Sequence, residues 1–398
     1  MSRRTPARPG ASAQAERPGW VGTAISAVFS SVGAVAIALL VGAFVILLSG
    51  DDPVVAYRAL FQGSLGGVRP VSETLVAATP LIFGGLAFAL AYRAGMFNIG
   101  VEGQLVLGGL AAGWIGAQAF GLPKIVHLPI ALLAAMVAGG LWGAIPGALK
   151  ARTGAHEVIT TIMLNYLAAR ISAYAVGSNG PLKGSAALPA TDPAQPSATL
   201  NRLMADERVN VGLLIGLIAA GVLWYVLFRT TLGYRVRTVG LSRGAAAYAG
   251  ISWGRTITIA MIGSGLLAGL GGASEVLGLQ GRYYDRFSPG YGFTSIAIGL
   301  VGRNHPLGVV LAAVLFGALN SGATAMQSAA GTSKELVQIL QALVILSGAA
   351  FAALSRLRIG QRLMARRPSG SSSSSDGDRA AAVGMEPELE PRPEPPAV

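Results

Sequence analysis

The chain has 398 residues, 52% of them hydrophobic and only 12% charged, with a mean hydropathy of +0.57. No soluble domain has this balance, and several apolar runs reach the ~20 residues that a helix needs to cross a bilayer, so the chain reads as an all-α polytopic membrane protein. It has no cysteine and three scattered histidines, His127, His156 and His305. That excludes disulfides, thiolate metal sites and cysteine catalysis, and leaves no histidine cluster for a metal. The net charge of +12 could suggest nucleic acid, but the basic residues stand beside apolar runs, where membrane topology accounts for them and no nucleic-acid partner is needed.

Residues 1–22 are polar and carry Arg3, Arg4, Arg8 and Arg17; they are expected to form a disordered basic N-terminus. The run 23–48 is longer than the ~7–15 apolar residues of a signal peptide, so it reads as a first span, with a cleaved signal as the lesser alternative. Asp51-Asp52-Pro53 ends it. Nine more apolar segments follow, near 75–92, 99–120, 128–149, 158–176, 211–228, 256–279, 291–301, 307–326 and 336–354. About ten spans are therefore expected, although 291–301 is too short to cross alone. It must be extended by polar flanks, irregular or re-entrant.

Charge supports the count. The connection 229–255 holds Arg229, Arg235, Arg237, Arg243 and Arg255 and no acid, and 356–367 holds Arg356, Arg358, Arg362, Arg366 and Arg367, again without an acid. Lys150 and Arg152 follow the fourth segment. With ten crossings and both termini cytoplasmic, all of these lie inside, as the positive-inside rule requires, and the mixed-charge loops 49–70 and 177–210 lie outside. From 368 onward the chain is rich in serine, then in acids and proline. The segment 356–398 is expected to be a basic juxtamembrane stretch followed by a disordered tail, dispensable or regulatory.

Four places concentrate polar groups. The joint around Asn98 and Glu102 puts three glycines, Asn98, Glu102 and Gln104 between two apolar runs. Asn98 can cap a helix whose first turn holds Glu102, and broken helices of this kind also aim their ends at polar cargo. In 157–166, Glu157, Thr161 and Asn165 share one helix face. Threonines are commonly satisfied by their own backbone, whereas Asn165 in mid-span needs a partner or water; interhelix adhesion and cavity lining both remain open. Glu275 lies late in a glycine-rich span and must face protein or water. In the connection 229–255, a short alanine-rich helix is expected at 243–249 between Gly240 and Gly250, shaped for docking into another protein more than for tethering to lipid.

The segments Arg93-Ala-Gly-Met-Phe-Asn-Ile-Gly-Val-Glu-Gly-Gln104, Glu157-Val-Ile-Thr-Thr-Ile-Met-Leu-Asn-Tyr166 and Gly299-Leu-Val-Gly-Arg-Asn-His-Pro-Leu-Gly308 together resemble the integral-membrane permease subunit of bacterial ABC importers for simple sugars and nucleosides, most closely its nucleoside-type branch. The resemblance spans roughly 75–354. It implies a permease domain over 23–355, in a multi-pass protein of the bacterial plasma membrane that is a transport subunit and not an enzyme. It further implies a second permease (a paralogue or a second copy), a cytoplasmic ATPase with two cassettes and an extracytoplasmic substrate-binding lipoprotein. ATP is then bound by the partner, so no cofactor is expected here, in keeping with the lack of a Gly-x-x-x-x-Gly-Lys-Ser/Thr loop.

The substrate route is expected near Asn98, Glu102, Gln104, Asn165, Tyr166 and Glu275. ATPase coupling is expected at Arg237, Gly240, Arg243, Ala246, Tyr248 and Gly250. No metal site is expected. Two other readings remain: a secondary transporter using Glu102 or Glu275 for protons, and a membrane enzyme, for which the dispersed acids offer little. No repeated filter-like segment suggests a channel.

Overall fold

The structure, a computed structural model, describes residues 39–331 without a break, together with residues 37, 336, 338, 339, 342, 343 and 346. The expected N-terminus, the first half of the first span, most of the last span and the tail lie outside the described residues. Among the described residues the fold is helical; the extended pairings are two isolated bridges, Ala190–Tyr284 and Arg202–Asn210.

In chain order the helices are α1 (Leu39–Leu48), α2 (Pro53–Leu65), α3 (Val68–Arg93), α4 (Val101–Ala117), α5 (Lys124–Thr153), α6 (Glu157–Val176), α7 (Gly212–Arg229), α8 (Thr231–Leu241), α9 (Arg243–Tyr248), α10 (Trp253–Glu275), α11 (Tyr291–Val301) and α12 (Pro306–Ala330). Six of them (α3, α5, α6, α7, α10 and α12) are long and apolar enough to span a membrane. Of the ten expected spans, six correspond to these helices, while the first and last lie largely outside the described residues. α4 has 17 residues and α11 only 11, about 25 and 16 Å at 1.5 Å per residue.

One loop expectation fails outright. Residues 49–70 contain α2, started by Asp52 accepting from Val54 N at 2.8 Å with Pro53 at the first helical position. α2 buries Ala56 and Leu60 on a cluster with Leu319, Ala323 and Met326 of α12. The search for spans misses this helix because it has 13 residues, with Arg58, Gln62 and Ser64 among them, well short of the ~20 apolar residues of a crossing.

α3 is the central post. Of its apolar window 78% is buried inside the protein, against 22% for α6, so α6 keeps most of its surface for something outside this chain. α5, α4 and α10 pack almost backbone to backbone. A Cβ on Gly108 would strike Gly269, and one on Gly139 would strike the Gly265 carbonyl. Lipid tails are as apolar as leucine, so helices in a bilayer adhere by such close packing and not by hydrophobic burial.

The bundle has one basic end. Gly240 of α8 packs on the Arg93 carbonyl and Gly254 of α10 on Ala151 of α5, so the ends bearing Arg93, Lys150, Arg152 and the five arginines of 229–255 come together. At the other end, the connection 177–210 folds back on 276–287. Thr191 N donates to Tyr283 O at 3.0 Å, Leu200 N to Leu277 O at 3.0 Å and Gln195 N to Gly116 O at 2.7 Å.

Candidate functional site: a re-entrant joint and two half-helices

α3 ends at Arg93 on the basic end, and the chain then turns back inward through Gly95, whose φ is +80°. Asn98 is fully buried. Its Nδ2 donates to Ser264 Oγ at 2.8 Å, and that hydroxyl donates to Ala87 O at 2.7 Å. Ala87 lies six residues before Arg93, so the joint re-enters by about 9 Å. The other bonds of Asn98 go to Gln104 Oε1 (3.1 Å) and, as acceptor, to Gly100 N (2.9 Å). Asn98 is not the N-cap of α4, which is Gly100 with no side-chain cap; it accepts from Gly100 N in the turn before the helix and fixes the joint to the middle of α10.

Asn165 completes this anchorage. Its Oδ1 accepts from Gly103 N at 2.9 Å and its Nδ2 donates to Ile99 O at 3.0 Å. Both ends of the amide are thus committed to backbone groups of the joint, so its geometry is that of adhesion between α6 and α4. Thr161 Oγ1 donates to Glu157 O at 2.7 Å, the self-satisfaction ordinary for a membrane threonine. Glu157 pairs with Lys150 at 2.9 Å.

Glu102 points elsewhere. From the first turn of α4 its Oε2 accepts from Gly292 N at 2.6 Å, in the first turn of α11. A Cβ on Gly292 would collide with the Glu102 backbone, so only glycine permits this approach. Ser288 Oγ accepts from Gly290 N (3.2 Å) and Tyr291 N (3.1 Å). One carboxylate and one hydroxyl thereby satisfy two free amides in the first turn of α11, those of Gly292 and Tyr291. The two half-helices meet start to start inside the protein. α4 then runs to the end where Gly116 meets Gln195, and α11 runs to the basic end, where Arg93 Nε donates to Asn304 O at 2.9 Å. α11, about 16 Å long, covers about half the depth, which explains why 291–301 is too short, while α4, at about 25 Å, covers most of it.

Glu275 is buried in the last turn of α10, before one π turn (Val276–Gln280). Its Oε1 accepts from Gln280 Nε2 (3.3 Å) and Tyr291 Oη (3.4 Å). Tyr291 thus connects the two acids. Its hydroxyl reaches Glu275, and its backbone enters α11 beside the Glu102–Gly292 bond. Neither Tyr291 nor Ser288 stands out in the sequence, because both lie in or beside a short apolar segment whose packing against Glu275 and Glu102 no local pattern marks.

Tyr166 stands apart from the others. It is 68% exposed, on a face of α6 shared with Ile159, Met163, Arg170 and Tyr174, all exposed. An arginine and two tyrosines along one spanning helix are costly against lipid.

The connection at the basic end holds the expected short helix, α9, capped by Ser242 accepting from Ala245 N at 3.3 Å. The expected contact residues divide in two. Ala246 is fully buried against Ala91, Met96, Val239, Ile257 and Met261, Gly240 packs on Arg93, and the Arg237 guanidinium lies 5.3 Å over the Phe228 ring. These three hold the segment in place. Arg243 stacks 4.3 Å over Trp253, and Gly250, with φ +69°, makes the turn out of α9. Tyr248, 97% exposed, and Leu241, 88% exposed, are the large side chains the segment leaves outward. Leu241 was not among the expected residues.

Residues 71–348 match the family described as "Branched-chain amino acid transport system / permease component". The chain is 41% identical over 327 residues to the guanosine ABC transporter permease protein NupP of Bacillus subtilis, covering 79% of this chain and 90% of that one. It is 38% identical to the glucose ABC transporter permease protein TsgB13 of Haloferax volcanii (81% and 87% covered). It is 34% identical to the nucleoside ABC transporter permease protein NupB of Lactococcus lactis (78% and 88% covered). No solved structure matches significantly. With long apolar helices packed through glycine and more than two thirds of its length matched, the chain is a multi-pass membrane protein and belongs to this permease family.

Proposed function

We propose that this chain is the translocating subunit of an ATP-driven ABC importer that carries nucleosides into the cytoplasm. The observation that carries the mechanism is the meeting of α4 and α11 at Glu102 and Gly292, a polar break in mid-bundle. Broken helices concentrate unpaired backbone groups and dipole ends where a polar solute can use them. Two relatives named for guanosine and nucleosides support the cargo. The relative named for glucose supports simple sugars as the second reading, since ribose hydroxyls and a hexose call for the same hydrogen-bonding groups.

Asn98, Gln104 and Asn165 hold the joint in shape. Glu102 and Glu275 border the route, and the exposed stripe of α6 through Tyr166 and Arg170 faces a second permease subunit. With the basic end in the cytoplasm, Tyr248 and Leu241 dock on an ATPase with two cassettes. ATP is hydrolysed there, and this chain is no enzyme. The folded connection 177–210 then lies outside, where a substrate-binding lipoprotein delivers cargo. In a bacterium the membrane is the plasma membrane.

The test is uptake of radiolabelled guanosine and glucose in cells lacking and regaining this chain. Loss of guanosine uptake alone, restored with the chain, is the expected result. Loss of glucose uptake alone moves the cargo to sugars. Uptake that persists in vesicles holding this chain alone, driven by a proton gradient, would sink the ATP-driven reading.

A further inference from the structure

At the basic end, Phe228 closes α7 and is surrounded by cations. Arg93 lies 5.4 Å and Arg237 5.3 Å over its ring, and the His305 ring is 5.3 Å away. Arg93 Nε donates to the Asn304 carbonyl, one residue from the exposed Arg303. Arg303 and Asn304 both adopt positive φ, +54° and +52°. Two successive non-glycine residues in that region are strained and persist where the surroundings impose them. The ion pairs among the described residues are Lys150–Glu157, Arg208–Glu73 and Arg286–Asp285, so no carboxylate there pairs with Arg93, Arg237 or Arg303. Half-buried guanidinium groups crowded together without a counter-ion are unfavourable until an anion arrives.

What surrounds the cluster indicates the anion. One turn back on α7, Trp224 and Tyr225 are exposed, with Arg229 5.8 Å over Trp224. This is the residue set that settles at a membrane–water boundary. On the α12 side, Leu307 and Leu311 are 64% and 72% exposed one turn apart, on one apolar face. The cations therefore sit at headgroup depth above a surface fit for acyl chains. We infer that Arg93, Arg237 and Arg303 form a binding site for the phosphate headgroup of an anionic phospholipid, seated between the basic ends of α7 and α12. The coupling segment would then be tied to the bilayer through Arg237, while Tyr248 stays free for the ATPase. The membrane leaflet follows from the topology proposed above, but the site itself does not depend on transport.

The test is native mass spectrometry of the full chain in detergent, titrated with phosphatidylglycerol or with phosphatidylcholine of the same acyl chains. The first phosphatidylglycerol is expected to bind about thirtyfold more tightly than phosphatidylcholine, about fivefold for each of two arginines at a surface. The double variant Arg237→Gln/Arg303→Gln should lose most of that preference. Arg303→Gln alone, whose side chain is exposed and outside the packing, should lose about fivefold of it. Excess inorganic phosphate should leave wild-type lipid binding unchanged; competition by it would mark a free-anion site and overturn the lipid assignment. Equal affinity for both lipids, or a preference that survives the double variant, overturns it as well. So does an intact preference combined with lost ATPase co-purification, which would give the cluster to the partner. Because binding is read on the isolated chain, its failure leaves the importer reading standing.

Discussion

Replacing Glu102 with alanine removes the acceptor that holds Gly292 N at 2.6 Å and the negative charge between two helix starts. The amide then has no partner in a water-poor interior, a loss of about 1–3 kcal/mol. The charge–dipole contribution at the two helix ends adds about 0.3–1 kcal/mol each. A total near 3 kcal/mol corresponds to about a hundredfold in an opening equilibrium. Glu102→Gln keeps a carbonyl acceptor and loses only the charge, so about tenfold is expected. Hydrogen exchange on peptides covering 288–296 reads this directly, with wild type slowest, Gln intermediate and Ala fastest, while peptides from α5 stay unchanged. Uptake should fall in the same order with normal membrane expression. If the alanine variant exchanged like wild type, the carboxylate would not hold the two half-helices together, and the junction would have to rest on the packing of α11 against α3.

Asn165→Ala strands two buried backbone groups, Gly103 N and Ile99 O, and should cost about 2–4 kcal/mol; the monodisperse fraction on size exclusion should fall along with uptake. Ala246→Trp forces a large side chain into a filled site, and at about 1–3 kcal/mol or more it should displace α9 and lower both thermal stability and ATPase co-purification. Tyr248→Ala, at an almost fully exposed position, should leave melting unchanged within about 0.5 kcal/mol while reducing ATPase co-purification and substrate-stimulated hydrolysis. Retained coupling in that variant would place the docking surface elsewhere. Arg170→Ala should leave the folded chain intact but weaken pairing with the second permease, seen as a shift to the lower-mass species in native mass spectrometry.

Much of this protein is written in local pattern. Long apolar runs give α3, α5, α6, α7, α10 and α12 within a few residues, because a bilayer permits almost no other way of satisfying backbone groups. The arginines of 229–255 mark the basic end, and a short helix was expected between Gly240 and Gly250, where α9 lies. Asn98 was expected as the cap of a helix whose N-cap is Gly100, two residues later. What sequence could not supply was contact between residues far apart in the chain. Asn165 looked equally suited to lining a cavity until Gly103 N and Ile99 O occupied both ends of its amide. Ala246 looked like a docking surface until Met96, Ile257 and Met261 covered it. Tyr166, one residue beyond Asn165, turned out to face away because a helix rotates about 100° per residue. α2 was hidden because 13 residues broken by Arg58, Gln62 and Ser64 do not make a spanning run. The decisive contact, Glu102 with Gly292 across 190 residues, leaves no local trace: a glycine allowing close approach reads like any other glycine. Composition and periodicity determine which segments enter the membrane, since each segment settles that with lipid on its own. Which polar groups meet inside is decided by packing between segments, and only the tertiary structure contains it.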